Sequence, residues 1–108
     1  METKIKALAK FLDCKKKEIE QGYDEDTFEW EGEEYKVYTD SEADDAFEEY
    51  IDQYIDDCVL HEIPESYRNY FDREAFTRDC NYDGRGHFLS GYDGVENEQD
   101  GFYIYRTN

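Results

Sequence analysis

The chain has little of what most domains use to hold themselves together. It carries one proline, Pro64, and one tryptophan, Trp30, and Leu, Ile, Val and Phe together fill only 20 of 108 positions. No apolar run approaches the ~20 residues of a membrane-spanning helix, so no membrane association is expected. The opening segment is rich in Lys and lacks the apolar stretch and cleavage pattern of a signal peptide. Three widely spaced cysteines, Cys14, Cys58 and Cys80, suit a reducing cytoplasm better than a disulfide framework. Basic residues are the scarcest: 12 Lys and Arg stand against 30 Asp and Glu, a formal charge of −18. No Lys or Arg lies between Val37 and Tyr67.

The imbalance is uneven along the chain. Residues 1–17 hold six Lys against Glu2 and Asp13, a net +4; residues 18–66 hold twenty acids against Lys36 alone, a net −19; residues 67–108 hold five Arg against eight acids, a net −3. Low hydrophobicity with high charge is also the signature of disorder. Eleven Tyr, seven Phe and Trp30 argue the other way, because each buries a large apolar area while a Tyr keeps its hydroxyl wet. The expectation is one folded domain, 1–108, with an aromatic core and a stability that rises with salt as self-repulsion is screened.

What is present sorts into an α+β pattern: a small antiparallel sheet against one long acidic helix, with short N-terminal helices. Ile5, Leu8 and Leu12 share a helical face over Lys4–Asp13, and Asp13 is placed to cap a second short helix, roughly 14–23, with Ile19 inward. Residues 27–39 alternate about Gly32 and read as a β-hairpin. Apolar pairs at 46/47, 50/51, 54/55 and 58/59 give a helix from 41 to 63, started by Ser41 with Asp44 and stopped by Pro64. A short turn follows at Tyr67–Phe71; Asp72 then caps a helix through Cys80, with Glu74 and Arg78 as an i, i+4 pair. From Asn81 to Gly101 turn formers dominate. Phe88-Leu89 and Phe102–Tyr105 are the strand-like pieces there, the latter pairing with the hairpin or with 87–92.

No arrangement of residues carries catalysis. His61 and His87 have no Cys or Ser in a recognised setting, Ser90 lacks the upstream glycine of a nucleophile elbow, and carboxylates are too abundant for any pair to signify acid–base work. The chain is read as a non-enzyme. No metal or other cofactor is expected: there is no Cys-x-x-Cys or His-x-x-x-His spacing, and Asp24-x-Asp26 and Asp93 are followed by Phe28 and Val95 where calcium loops need oxygen. Gly84-Arg85-Gly86 reads as a tight turn rather than a phosphate cradle. The field of the whole molecule opposes direct nucleic-acid binding.

The acids themselves remain. Pairs 44/48, 45/49, 48/52 and 52/56 are like-charged at helical spacing, a repulsion that opposite charges would relieve. A helix from 41 to 63 is about 34 Å long and carries an acid every ~4 Å, close to the ~3.4 Å per phosphate of one DNA strand. Asp44, Asp45, Glu48, Glu49, Asp52, Asp56 and Asp57 are therefore candidate phosphate mimics, with Glu29, Glu31, Glu33 and Glu34 as a second patch. The expected partner is a basic nucleic-acid-binding protein of host defence, a restriction–modification enzyme or a CRISPR effector. A rival is an acidic interaction module, such as an immunity protein or antitoxin, whose affinity comes from an aromatic hot spot.

The segment Ile63-Pro-Glu-Ser-Tyr-Arg-Asn-Tyr-Phe-Asp-Arg-Glu-Ala-Phe-Thr-Arg-Asp79 resembles the ArdA-type antirestriction proteins, which carry a similar Pro-Glu … Tyr-Phe-Asp-x-Glu-Ala-aromatic-x-Arg-Asp stretch. The resemblance implies an acidic, mobile-element protein that inhibits type I restriction enzymes by mimicking DNA, acting in the host cytoplasm. Ile5–Asp40 and Asp83–Gly94, with the Tyr103-Ile-Tyr-Arg106 tail, are similar to acidic phage proteins.

Overall fold

A computed structural model describes residues 2–108. The first helix, α1 (Glu2–Leu12), ends where Asp13 takes a left-handed conformation (φ 54°). Its N–H bonds back to the Lys10 carbonyl at 3.3 Å and the Cys14 N–H to the Ala9 carbonyl at 3.0 Å, a Schellman closure. Asp13 thus ends one helix instead of capping another. The expected helix over 14–23 contracts to a single 3-10 turn, Lys16–Glu18, with Ile19 buried behind it. The chain then enters strand β1 (Glu20–Gln21).

The hairpin forms as read. Strands β2 (Thr27–Trp30) and β3 (Glu33–Tyr38) pair antiparallel with Trp30 opposite Glu33, joined by Glu31 and Gly32, both at positive φ (50° and 81°). Two consecutive left-handed residues are the turn that matches strand twist, which is why glycine follows the acid here. After the helices come β4 (Asn97–Gln99) and β5 (Phe102–Arg106), and β5 pairs with β3, so the tail closes onto the hairpin as one of the two expected pairings had it. The sheet is five-stranded and antiparallel, in the order β1-β2-β3-β5-β4.

Alternation sends the two faces of this sheet to different partners. Phe28, Tyr35, Val37 and Ile104 pack under α1 with Leu8, Ala9 and Ile19. Tyr38 and Tyr105 face the other way, onto Ala43 and Ala46 of α2 (Asp40–Tyr54). That helix is started by Thr39 and not by Ser41. The Glu42 N–H donates to Thr39 Oγ1 at 3.2 Å and the Thr39 N–H donates to Glu42 Oε1 at 2.8 Å, a capping box set two residues earlier than expected.

Beyond the sheet α2 becomes the spine of a second apolar cluster. Phe47, Ile51 and Ile55 are buried against Leu60, Phe71, Phe76, Cys80, Phe88 and Leu89. The helical run changes pitch on the way: a π-helical turn covers Ile55–Val59 and a 3-10 turn Leu60–Glu62. The wider turn steps five residues from Ile55 to Leu60, which puts Leu60 into the cluster where regular α spacing would have offered Val59.

A 3-10 stretch, Glu65–Tyr70, leads to α3 (Arg73–Tyr82), and Asp72 caps it as expected, accepting the Ala75 N–H at 3.0 Å. Phe88-Leu89, expected as strand, lies instead in α4 (Arg85–Leu89). A strand there would alternate the two side chains to opposite sides, whereas both go into the second cluster, with the Phe88 and Phe47 rings edge-to-face at 5.7 Å. The particle is elongated, 55 × 23 × 21 Å.

Candidate functional site

Burial of Ala43, Phe47, Ile51 and Ile55 forces the intervening positions outward. All seven acids of the helical run, Asp44, Asp45, Glu48, Glu49, Asp52, Asp56 and Asp57, are exposed. Two arginines from distant parts of the chain come up against them. Arg85, on α4, donates from Nη1 to Asp40 Oδ1 at 2.9 Å and Asp44 Oδ1 at 2.8 Å, and from Nε to Glu96 Oε1 at 2.9 Å. Arg73, at the start of α3, donates from Nη2 to Asp52 at 3.2 Å and from Nη1 to Asp56 at 3.0 Å. Each guanidinium therefore bridges two acids four residues apart, relieving the like-charge pairs 40/44 and 52/56. The expected Glu74–Arg78 ion pair is not formed among the described residues.

Asp45, Glu48, Glu49 and Asp57 have no ion pair among the described residues. Glu48 lies midway between the two bridged pairs, in a groove of about 530 Å³ between α2 and α3. Phe47 lines this groove, together with Asp44, Asp52, Arg73 and Arg78.

The hairpin acids are not one patch. Glu29 lies opposite Glu34 and Glu20 in the register, so three carboxylates cross β1, β2 and β3 on one face. Glu34 accepts from Thr107 Oγ1 at 2.9 Å. Glu33 points to the other face, half-buried, where it takes Arg106 Nη1 at 3.2 Å and the Tyr35 hydroxyl. Glu31 sits exposed at the tip of the turn.

Lys4 and Lys10 pair elsewhere than on the seven candidate acids. Lys4 bridges Asp26 and Glu42 Oε1 (2.7 Å), locking α1 to the capping box, and Lys10 meets Asp100 at 3.5 Å. Burial opposes ionisation of Glu42, but hydrogen bonds from Lys4 and from the Thr39 backbone outweigh it and hold the carboxyl below its ordinary value. Burial and a hydrogen bond to Glu96 together push the Tyr105 phenol well above its ordinary value, so Tyr105 stays a neutral donor to the carboxylate that Arg85 also holds. Arg73, Arg85 and Lys4 went unread in the sequence, since nothing local links Arg85 to an acid 41 residues away.

Among the described residues no group of three His, Cys, Asp or Glu side chains is placed to hold a metal ion, and no helix is long and apolar enough to cross a membrane. No curated protein and no solved structure matches the chain. The family model of the antirestriction protein ArdA does match, over residues 2–94, taking in α1, the hairpin, the acidic helix with both its arginines, and α3 and α4. The chain, an acidic spine bridged by arginines and backed by a small antiparallel sheet, belongs to the ArdA antirestriction family.

Proposed function

We propose that the protein inhibits a host restriction enzyme by DNA mimicry, presenting the carboxylates of α2 and its π turn as surrogate phosphates to a basic nucleic-acid-binding groove. One observation carries the reading: seven acids, all exposed, line one helical run on a particle whose formal charge is −18. The 55 Å long axis equals about 16 base pairs at ~3.4 Å per step. Fixed carboxylates also gain from displacing counterions out of a basic groove, as phosphates do. Asp45, Glu48, Glu49 and Asp57 offer their full charge, having no ion pair among the described residues, and Asp44, Asp52 and Asp56 offer carboxylates shared with an arginine. Among the hairpin acids, Glu29, Glu31 and Glu34 extend the field, and Glu33 serves structure.

The test is a combined Asp45→Asn, Glu48→Gln, Glu49→Gln, Asp57→Asn variant, assayed against a purified type I restriction enzyme with labelled duplex DNA as competitor. Inhibition should disappear while the fold survives. Equal inhibition by the neutral variant overturns the reading. A second reading has its own support: Tyr67, Tyr70 and Tyr82 are 62, 82 and 81 % exposed on the helical half, the composition of a protein-docking hot spot. Under that reading single Tyr→Ala changes would cost more than any change of charge.

A further inference from the structure

Two positive side chains in the middle of the acidic surface look, by charge alone, like defects in a phosphate mimic. Their geometry says otherwise. Along one row of α2 and the π turn that continues it the acids fall at 40, 44, 48, 52 and 56, each four residues from the next. Arg85 bridges the first pair and Arg73 the last, while Glu48 stands alone between them. Two carboxylates sharing one guanidinium repel each other less than two bare ones, although Arg85 divides its charge with Glu96 as well. Five crowded acids thus become two bridged pairs and a lone Glu48, centred near positions 42, 54 and 48 and about 9 Å apart along the axis. An unbridged Asp or Glu side chain rotates freely, and binding must then order it; a carboxylate held at 2.8 to 3.2 Å by a planar fork is ordered beforehand. The Arg85 fork is itself fixed. Arg85 is 11 % exposed, stacked over the Tyr103 ring at 4.7 Å, and anchored by Glu96, which Tyr105 also holds. Arg73 occupies the first position of α3, next to the Asp72 cap.

Resting on the DNA-mimic reading, we infer that Arg73 and Arg85 are positioning residues of the inhibitory surface: they set the spacing and orientation of the carboxylates that the partner's cations meet. Charge and geometry make opposite predictions. Removing an arginine makes the protein more negative, so if charge alone governed binding to a basic groove, the variant would bind more tightly. If positioning governs, it binds less tightly.

The test uses Arg73, whose side chain is 42 % exposed and whose loss leaves the buried Arg85 cluster intact. Arg73→Gln, Arg73→Lys and wild type are titrated against a purified type I restriction enzyme at several salt concentrations, with melting temperature and near-ultraviolet circular dichroism as fold controls. The expected order of potency is wild type, then Arg73→Lys, then Arg73→Gln. The glutamine variant should need about tenfold more protein for half-inhibition. Its logarithmic salt slope should become shallower, because fewer carboxylates engage at once. Equal or greater potency of Arg73→Gln overturns the inference, and so does a loss of potency with an unchanged slope, which a merely structural role would produce. Duplex competition with wild type separates the two claims: a wild type that inhibits without being displaced by DNA refutes mimicry, while the ranking of the Arg73 variants still decides the positioning role.

Discussion

Lys4 donates to Glu42 Oε1 at 2.7 Å, and the same oxygen accepts the Thr39 N–H that opens α2. One carboxylate thereby fixes the start of the acidic helix, docks α1 against it and, through Lys4, holds Asp26 ahead of the hairpin. Replacing Lys4 with Met keeps its apolar stem and removes the ion pairs to Glu42 and Asp26, while the Thr39–Glu42 capping box remains. The Lys4 side chain is 12 % exposed, and its loss leaves Asp26 and Glu42, both part-exposed, facing each other without the cation between them. The expected cost is about 1–3 kcal/mol, read as a fall in the urea midpoint.

The same carboxylate gives a pH signature. The ordinary value for Glu42 is 4.5 and its folded value lies lower. A group depressed on folding stabilises the native state above its unfolded pKa and loses that contribution as pH falls through the folded one. The stability gap between wild type and Glu42→Gln should therefore be constant from neutral pH down to about 5.5 and close below 4.5. Chemical denaturation at a series of pH values measures it; a gap that widens on acidification would be the wrong sign.

Gly86 sits where α4 passes the β4 approach. A Cβ there would lie 2.5 Å from the Glu96 backbone N and 2.8 Å from the Val95 carbonyl carbon. Backbone cannot yield as a side chain tip can, so Gly86→Ala should destabilise by about 1–3 kcal/mol. It should also loosen Arg85, one residue away, and the variant should melt earlier than wild type.

Salt should act oppositely on folding and on binding. Self-repulsion at −18 opposes the compact state and is screened over about 8–10 Å at physiological ionic strength. Raising NaCl from ~0.05 to ~0.5 M should raise the melting temperature while weakening inhibition of the restriction enzyme. Calorimetry and an inhibition titration on one sample check both halves.

Local signals reached a good part of this architecture. Alternation about Glu31-Gly32 gave the hairpin, four-residue spacing gave the acidic helix, and Asp72 gave the start of α3, because in each case the deciding contacts lie within a few residues. The misses are places where distant packing won. Asp13 looked like a cap but turned left-handed to close α1. Phe88-Leu89 looked like strand, yet Phe47 and Ile51 offered them an apolar wall that helical geometry fits better. The acids were visible as a list of residues; which of them keep their charge uncompensated depends on Arg73 and Arg85, whose reach to the helical acids spans 17 to 45 residues of sequence.

The seam of α2 and its π turn that enters the interior, Ala43, Phe47, Ile51, Ile55, and the neighbouring row Asp44, Glu48, Asp52, Asp56 are offset by a single residue. Rows at four-residue intervals slant by roughly 26° across a helix instead of following its axis. The two rows slant together, so this helix cannot roll to offer a different set of carboxylates without pulling Phe47 and Ile51 into water. Under the proposed mimicry a docking protein would meet an oblique ribbon at one fixed bearing, and inhibitors of this build should discriminate among their targets by angle of approach.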